Sequence, residues 1–366
     1  MNTQINRRAE GGRIDRDETL TFSFDGNIMR GHRGDTLASA LLANGVRLVG
    51  RSFKYHRPRG LMASGGEEPN GLVRLRTGGR AEPNVRATEA TLYDGLEAES
   101  QNRWPSLRYD LGAVNDRLSP LFPAGFYYKT FMGPRWLGVT RTWSKICEPM
   151  IRRVSGLGRA PLSPDPDLYL NRFAHCDVLV IGAGPAGISA ARAASEMGAE
   201  VMLCDEQGEL GGSLLAEQQA IIDGQPAQVW LEAQKLELDR LGARLLPRTT
   251  AFGYYADNFV ALAERLSDHL PDVQSGAPRE ILWQVRADEV VLATGAIERP
   301  LIFDHNDRPG IMMADAARVY LNRYAVKPGG KVVIATSCDS AYLAALELKN
   351  AGIKVEALCD LRLQPA

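Results

Sequence analysis

The sequence predicts an α/β chain with a smaller α+β head at its N-terminal end, and two stretches carry that reading. Asp177 to Ile181 is a short apolar, β-branched run of the kind a buried parallel strand needs. Gly182, Gly184 and Gly187 follow it, and an Ala-rich helical run then extends from Ile188 to Met197. Far ahead of this, Leu20 to Gly26 and Asn27 to Arg30 flank an Asp-Gly turn, the pattern of a β-hairpin.

Each glycine of the first stretch has a physical reason. The first permits the tight turn, the second lets backbone approach a pyrophosphate, and the third lets helix and strand pack closely; the helix N-terminus then offers free N–H groups to the phosphates. A second strand, Glu200 to Cys204, ends in Asp205, 18 residues past Gly187, where an acid can accept hydrogen bonds from a ribose diol. Strand, glycines, helix, strand and acid in this order make a Rossmann dinucleotide domain. Asp205 followed by Glu206 would repel a 2′-phosphate, which favours NAD or FAD over NADP. Gly208 to Gly212 either brings backbone to the pyrophosphate from the other side or forms an ordinary loop. Glu289 to Ala296 reads as a buried strand with an Ala-Thr-Gly turn, a form common in flavoproteins with two dinucleotide-binding domains. The expected contact set is Gly182, Ala183, Gly184, Pro185, Ala186, Gly187, Asp205 and Glu206, joined by Gly211, Gly212, Ser213, Thr294 and Gly295.

In the head, the run from Gly34 to Gly45 begins with cap residues and ends in glycine, as a short helix should. A strand pair and turn, the loop at Pro58 to Met62 and a strand at Gly71 to Leu75 follow. Hairpin, helix, loop and strand is the order of a β-grasp ferredoxin fold. The organisation expected is a flexible tail over 1–17, the β-grasp domain over 18–100 and an aromatic connecting arm over 101–170. The Rossmann domain fills 171–366, with a nested second βαβ unit starting near 330. That unit comprises Lys331 to Ala335, a helix from Ser340 to Ala351 and Lys354 to Cys359; its turn, Thr336 to Ser340, has no glycine, so close pyrophosphate approach is not expected there. Because such a domain needs further strands, the chain reads as part of a longer subunit, with apolar strand edges that a partner would cover.

Composition sets the outer bounds. At 366 residues, 45% hydrophobic and 24% charged, the chain is long enough for two or three domains. No window approaches about 18 uncharged apolar residues, so no helix is expected to span a membrane, and no secretory signal precedes the hairpin. Cys147, Cys176, Cys204, Cys338 and Cys359 form no C-x-x-C; they read as small buried hydrophobes in a reducing cytoplasm. The five histidines show no ligand spacing, so no metal is expected. Residues 1–160 hold 25 Lys+Arg against 16 Asp+Glu, within a chain of net charge −1. The basic residues are scattered among Gly, Pro and aromatics, which argues against nucleic acid and for a solvated or partner-facing arginine surface. The arm, with Phe122, Trp136 and Trp143, suits either intramolecular packing or a subunit interface; a short helix is expected within it from Lys145 to Val154.

The head resembles the plant-type [2Fe–2S] module of some multi-subunit amine oxidases, which carries C-x₄-C-x₂-C and a later cysteine. Laid on this chain, those positions fall at Ala63, Glu68, Gly71 and near Thr88, so the scaffold is expected without its cluster. Adding Phe126-Tyr-Tyr-Lys-Thr-Phe131, the Gly156-Leu-Gly158 turn and the GAGPAG domain, the chain resembles the α subunits of heterotetrameric sarcosine oxidases. The resemblance implies an oxidoreductase acting on a CH–NH donor with O₂ as acceptor, assembled with β, γ and δ subunits in the cytoplasm. It implies NAD in the Rossmann site of this chain, FMN at the boundary with the β subunit and FAD in the β subunit, where the amine is oxidised. Tetrahydrofolate belongs to a C-terminal region outside this sequence. No catalytic residue is therefore expected here, and this chain alone should be inactive. Related proline dehydrogenases, opine oxidases and cyanide synthases share the GAGPAG part but commonly keep the cysteines missing here. Two further readings stay open: a reductase that itself carries FAD, and a non-catalytic scaffold.

Overall fold

The computed structural model describes residues 4–121, 143–149, 152, 156–271 and 276–363. The head opens with β1 (Asp15–Phe24) and β2 (Asn27–Arg33), an antiparallel pair with Phe24 opposite Asn27. Asp25 and Gly26 between them both take positive φ (49° and 78°), the left-handed pair that matches a two-residue turn to the twist of its strands. Helix α1 (Leu37–Ala43) starts in a reciprocal cap: Ser39 N donates to Thr36 Oγ1 and Thr36 N to Ser39 Oγ. All seven residues of α1 are buried, so packing rather than amphipathic patterning fixes it. Strands β3 (Leu72–Leu75), β4 (Glu82–Arg86) and β5 (Leu96–Ser100) complete a five-stranded sheet in the order β2-β1-β5-β3-β4, with β5 parallel to β1.

The segment expected as a flexible tail is anchored from residue 4. Arg7 donates to both oxygens of the buried Asp35 at 3.0 and 2.6 Å and to the Tyr324 carbonyl, while Asn6 N donates to Ala43 O and Arg8 N to Ala325 O. Asp35 also accepts from His32 N and from Ser39 Oγ. A guanidinium and a carboxylate this deeply buried hold their places only by satisfying each other. Polarity in the sequence suggested solvent; the charge is in fact spent inside.

The second compact unit, residues 11–13 and 166–299, contains the Rossmann layer. β6 (Leu168–Ile181), α2 (Pro185–Glu196), β7 (Val201–Cys204), α3 (Ala227–Arg240) and β8 (Arg244–Leu246) lead into a meander of β9 (Thr249–Tyr255), β10 (Phe259–Arg265) and β11 (Pro278–Leu292). The sheet order is β8-β7-β6-β11-β10-β9, parallel from β8 to β11 and antiparallel beyond. Its two faces bury separate clusters: Val180, Ile188, Leu203 and Leu231 on the helical side, Leu179, Met202, Leu262 and Trp283 on the other. Strand β6 starts at Leu168, inside the stretch expected as connecting arm, because the buried pair Arg279–Asp167 (3.2 Å) fastens its beginning to β11. The strand expected to be buried from Glu289 is the end of β11 and is half open: Leu292 is 62% exposed, since β10 stops pairing at Arg286. The aromatic stretch 122–142, with Phe126 to Phe131 and Trp136, lies outside the described residues, as does part of the helix expected from Lys145.

Residues 171–366 are not one unit, contrary to expectation. Residues 300–366 group with the head, and helix α4 (Ala314–Asn322) is the reason. Its Ala316 and Tyr320, with Tyr324 and Val326 just beyond, enter the core that contains Phe22, Leu41 and Leu96. Its other face, Ala317 and Leu321, packs on Ile334, Ala341 and Leu348 of the βαβ unit formed by β12 (Lys331–Thr336), α5 (Ser340–Asn350) and β13 (Lys354–Asp360). Arg318 and Asn322 both donate to Glu347 at 2.8 Å, closing the same contact with charge. This helix is amphipathic on both of these faces, and the sequence expectation had named no element over residues 314–322.

Arg7→Ala should destabilise the head by about 3–5 kcal/mol, because Asp35 would stay buried without its cation. Chemical denaturation of the variant against wild type checks this, and a loss below about 1 kcal/mol would contradict the anchoring.

Candidate dinucleotide site and the degenerate cluster loop

The three glycines of the β6–α2 turn have different geometries. Gly182 has φ +101°, and a Cβ there would stand 2.3 Å from the Ala293 carbonyl oxygen. At Gly187 a Cβ would stand 1.8 Å from the Gly182 carbonyl oxygen. Gly184, by contrast, has no atom within 4 Å of where a Cβ would go. The outer two glycines thus serve packing, and the middle one leaves the mouth of the turn clear for a phosphate. Helix α2 starts with Gly184 as N-cap and Pro185 at its first position, and no side chain caps it. Its first-turn N–H groups, those of Ala186 and Gly187, are oriented for an anion.

Asp205 sits at this turn. Its Oδ2 accepts from Ala183 N at 2.7 Å and its Oδ1 from Gln207 N at 2.8 Å. Glu206 is exposed on the next turn, and its carbonyl accepts from Arg265 Nη2. The glycine pair belongs to the site: Gly211 N donates to Ala183 O at 2.9 Å, and a Cβ on Gly212 (φ +53°) would stand 2.8 Å from Gly184 Cα. Ser213 follows in the 3₁₀ turn Gly212–Leu215. Thr294 and Gly295 are exposed beyond Ala293, with the Thr294 nitrogen 3.2 Å from the Cβ position of Gly182. The structure therefore brings Gly182, Ala183, Gly184, Gly187, Asp205, Gly211 and Gly212 into direct contact around one turn. Pro185 and Ala186 open the helix there, and Glu206, Ser213, Thr294 and Gly295 stand one residue further out.

Two contributors stand outside the expected contact set. Ala293 is the small residue that Gly182 and Gly187 both abut, and its place just before Thr294-Gly295 was the available signal. Arg248, at φ +52° after β8, lays its guanidinium over Gly208, where a Cβ would meet Nη2 at 2.8 Å. Burial pushes its pKa down, with Arg265 adding to the effect and Asp268 opposing it. Two arginines beside the 205–208 turn offset part of the acidic field that Asp205 and Glu206 were expected to present.

The cluster positions of the head lie in residues 61–71 and at Thr88. Ala63 and Gly71 offer no ligand atom, Thr88 Oγ1 donates to Gly65 O, and Glu68 is spent on backbone N–H groups. A [2Fe–2S] cluster needs four thiolates or comparable donors, and these residues do not fit one. Among the described residues no group of three or more His, Cys, Asp or Glu could hold a metal ion, and no helix is long and apolar enough to cross a membrane.

The cysteines divide. Cys176 of β6 and Cys204 of β7 are buried in the apolar cluster on one face of the sheet, where burial pushes their thiols up to about 11 and about 12, whereas Cys338 and Cys359 are exposed, contrary to the expectation for all five. Cys338 lies in the glycine-free turn of the βαβ unit; hydrogen bonds shared with the Ser340 and Thr336 hydroxyls lower its pKa.

Gly184→Val and Gly187→Ala should separate binding from folding. The first places a branched side chain in open space and should leave thermal stability near wild type while abolishing dinucleotide binding. The second drives a methyl into a carbonyl oxygen and should lower stability by several kcal/mol; equal melting temperatures for the two variants would contradict this division. Iron and acid-labile sulfide, assayed after anaerobic purification, should both be substoichiometric.

Residues 17–103 match the family described as "2Fe-2S iron-sulfur cluster binding domain", and residues 177–265 match "FAD dependent oxidoreductase". The chain is 54% identical over 97% of its length to sarcosine oxidase subunit alpha of Rhizobium meliloti, covering 36% of that protein. It is 40% identical over 96% of its length to the same subunit of a Corynebacterium species, covering 31%. It thus spans about a third of the length of these curated relatives. Among solved structures, L-proline dehydrogenase from P. horikoshii matches with a TM-score of 0.63 at 21% identity, over 97% of this chain and 56% of that one, a likeness of fold. The chain is accordingly a relative of the sarcosine oxidase α subunits along 97% of its own length, a ferredoxin-like 2Fe–2S-family domain followed by an FAD-dependent-oxidoreductase-type domain.

Proposed function

We propose that this chain is the NAD-binding part of a sarcosine oxidase α subunit. The observation that carries the reading is the clear space in front of Gly184, flanked by the uncapped start of α2, the Asp205 carboxylate and the Gly211–Gly212 backbone. A pyrophosphate fits where backbone alone faces it, and a ribose diol fits beside a carboxylate. When bound, the dinucleotide would be held by Gly182 to Gly187, Gly211, Gly212 and Ser213, with Asp205 or Glu206 accepting from the ribose and Thr294 and Gly295 at the far rim. Each Asp205 oxygen now accepts one backbone N–H, which leaves a second lone-pair site on each for a ligand hydroxyl.

In this reading the whole enzyme converts sarcosine, O₂ and water to glycine, H₂O₂ and formaldehyde, or passes the one-carbon unit to tetrahydrofolate. The amine is oxidised at FAD in a partner β subunit, with FMN at the boundary between the subunits, and γ and δ subunits complete the assembly in the cytoplasm. This chain supplies no acid, base or nucleophile to that step. The buried Cys176 and Cys204 thiols, with their raised pKa values, are unsuited to nucleophilic work.

The match to an FAD-dependent family over residues 177–265 favours one second reading, FAD in the same cleft. Cofactor extraction from the purified full-length complex decides between them. The expected outcome is one NAD released per α subunit in wild type and none from Gly184→Val, with flavin content unchanged. A flavin lost with the Gly184 substitution would assign FAD to this site instead.

A further inference from the structure

Residues 61–71 occupy the place of a cluster-binding loop, and they fold around a carboxylate. Glu68 is 1% exposed, and each of its oxygens accepts two backbone N–H groups. Oε2 receives Met62 N at 2.8 Å and Ala63 N at 2.7 Å; Oε1 receives Asn70 N at 2.7 Å and Gly71 N at 3.0 Å. A proton on either oxygen would face a donor, so the four N–H groups suit the ionised acid. Burial pushes the carboxyl up, and these four N–H groups oppose it. The surroundings leave no slack. A Cβ on Gly71 would stand 2.9 Å from Leu61 Cδ2 and 3.3 Å from Glu68 Cγ. Thr88 Oγ1 donates to Gly65 O at 2.8 Å, and the fully buried Tyr320 hydroxyl donates to Ala63 O at 2.8 Å.

We propose that the Glu68 carboxylate has taken over the organising role of the lost cluster: it is the anion on which the 61–71 loop closes. With Tyr320 it locks that loop to helix α4, so that the head works as a non-redox clamp on residues 314–326. Three of the four ligand positions, Ala63, Glu68 and Gly71, are themselves donors or acceptors in this lock, and the fourth, Thr88, closes the loop from outside. Removing the carboxylate would strand four N–H groups away from water, each of which must find a partner or remain unpaired. An apolar substitute offers none, and glutamine offers one oxygen and presents its own N–H₂ to two of the donors. The proposal rests on this loop alone and is independent of which dinucleotide the other unit binds.

Amide hydrogen exchange in the full chain tests it. In wild type, the amides of Met62, Ala63, Asn70 and Gly71 should be protected to the level of Val73 in β3, although they lie in a loop. Glu68→Gln should speed exchange at these four by about tenfold or more and lower the melting temperature of the head by several degrees. Tyr320→Phe should speed exchange at Met62 and Ala63 and in α4 while sparing Asn70 and Gly71. Wild-type protection and melting in Glu68→Gln would overturn the proposal. Should Glu68→Gln not fold, the wild-type measurement decides: four amides exchanging as fast as those of an open loop would overturn it.

Discussion

Gly182, Gly187 and Ala293 meet with no room for one more carbon, and the arrangement of the dinucleotide unit follows from that contact. Because the Gly187 Cα lies against the Gly182 carbonyl, α2 can start directly over the end of β6. Because Ala293 abuts both, β11 must lie beside β6 and turn away at Thr294. The remaining glycine is then left facing open space. Close packing behind the turn and vacancy in front of it are two results of one constraint, the absence of side chains at a crossing of backbone.

The head obeys a different constraint. Its own strands and one short helix do not complete a core; Tyr320, Tyr324 and Val326 arrive from more than 200 residues away to fill it. Burying Leu321 and Ile334 on the reverse face of the same helix contributes on the order of 1.5–3 kcal/mol each, so α4 is a wall shared by two apolar clusters. Charge is handled in the same economical way. Arg7 with Asp35, and Glu68 with four N–H groups, put ionised side chains inside but give each a full set of partners.

The local elements were legible in the sequence because each is written in short-range chemistry: Asp25-Gly26 for the hairpin, cap residues and a closing glycine for the helix within Gly34 to Gly45, GAGPAG for the turn. Much of the candidate site's geometry was legible for the same reason, since glycine spacing and a terminal acid are local signals. What could not be read was pairing at a distance. Nothing near Arg7 announces that Asp35 will hold it, so a polar segment looked like a tail. Nothing near Ala316 or Tyr320 says which core they enter, so residues 300–366 were assigned to the wrong unit. Arg248 was overlooked because its effect depends on a left-handed backbone that brings it over Gly208. Glu68 stood out only as a missing cysteine; that its carboxylate gathers four amides is a property of the folded loop.

The length of β11 carries a consequence of its own. One unbroken strand of 15 residues pairs with β10 through Arg286 and with β6 to Leu292, so the meander and the Rossmann layer share a single register. Side chains alternate faces along it, and any slip by one residue exchanges those faces all the way to the end. An insertion in the meander would therefore be felt at Ala293, unless a bulge absorbed it as the irregularity between Pro278 and Glu280 already does near the start. The strand carries the register of the meander to the candidate cleft at the β6–α2 turn, some forty ångströms away at about 3.3 Å per residue.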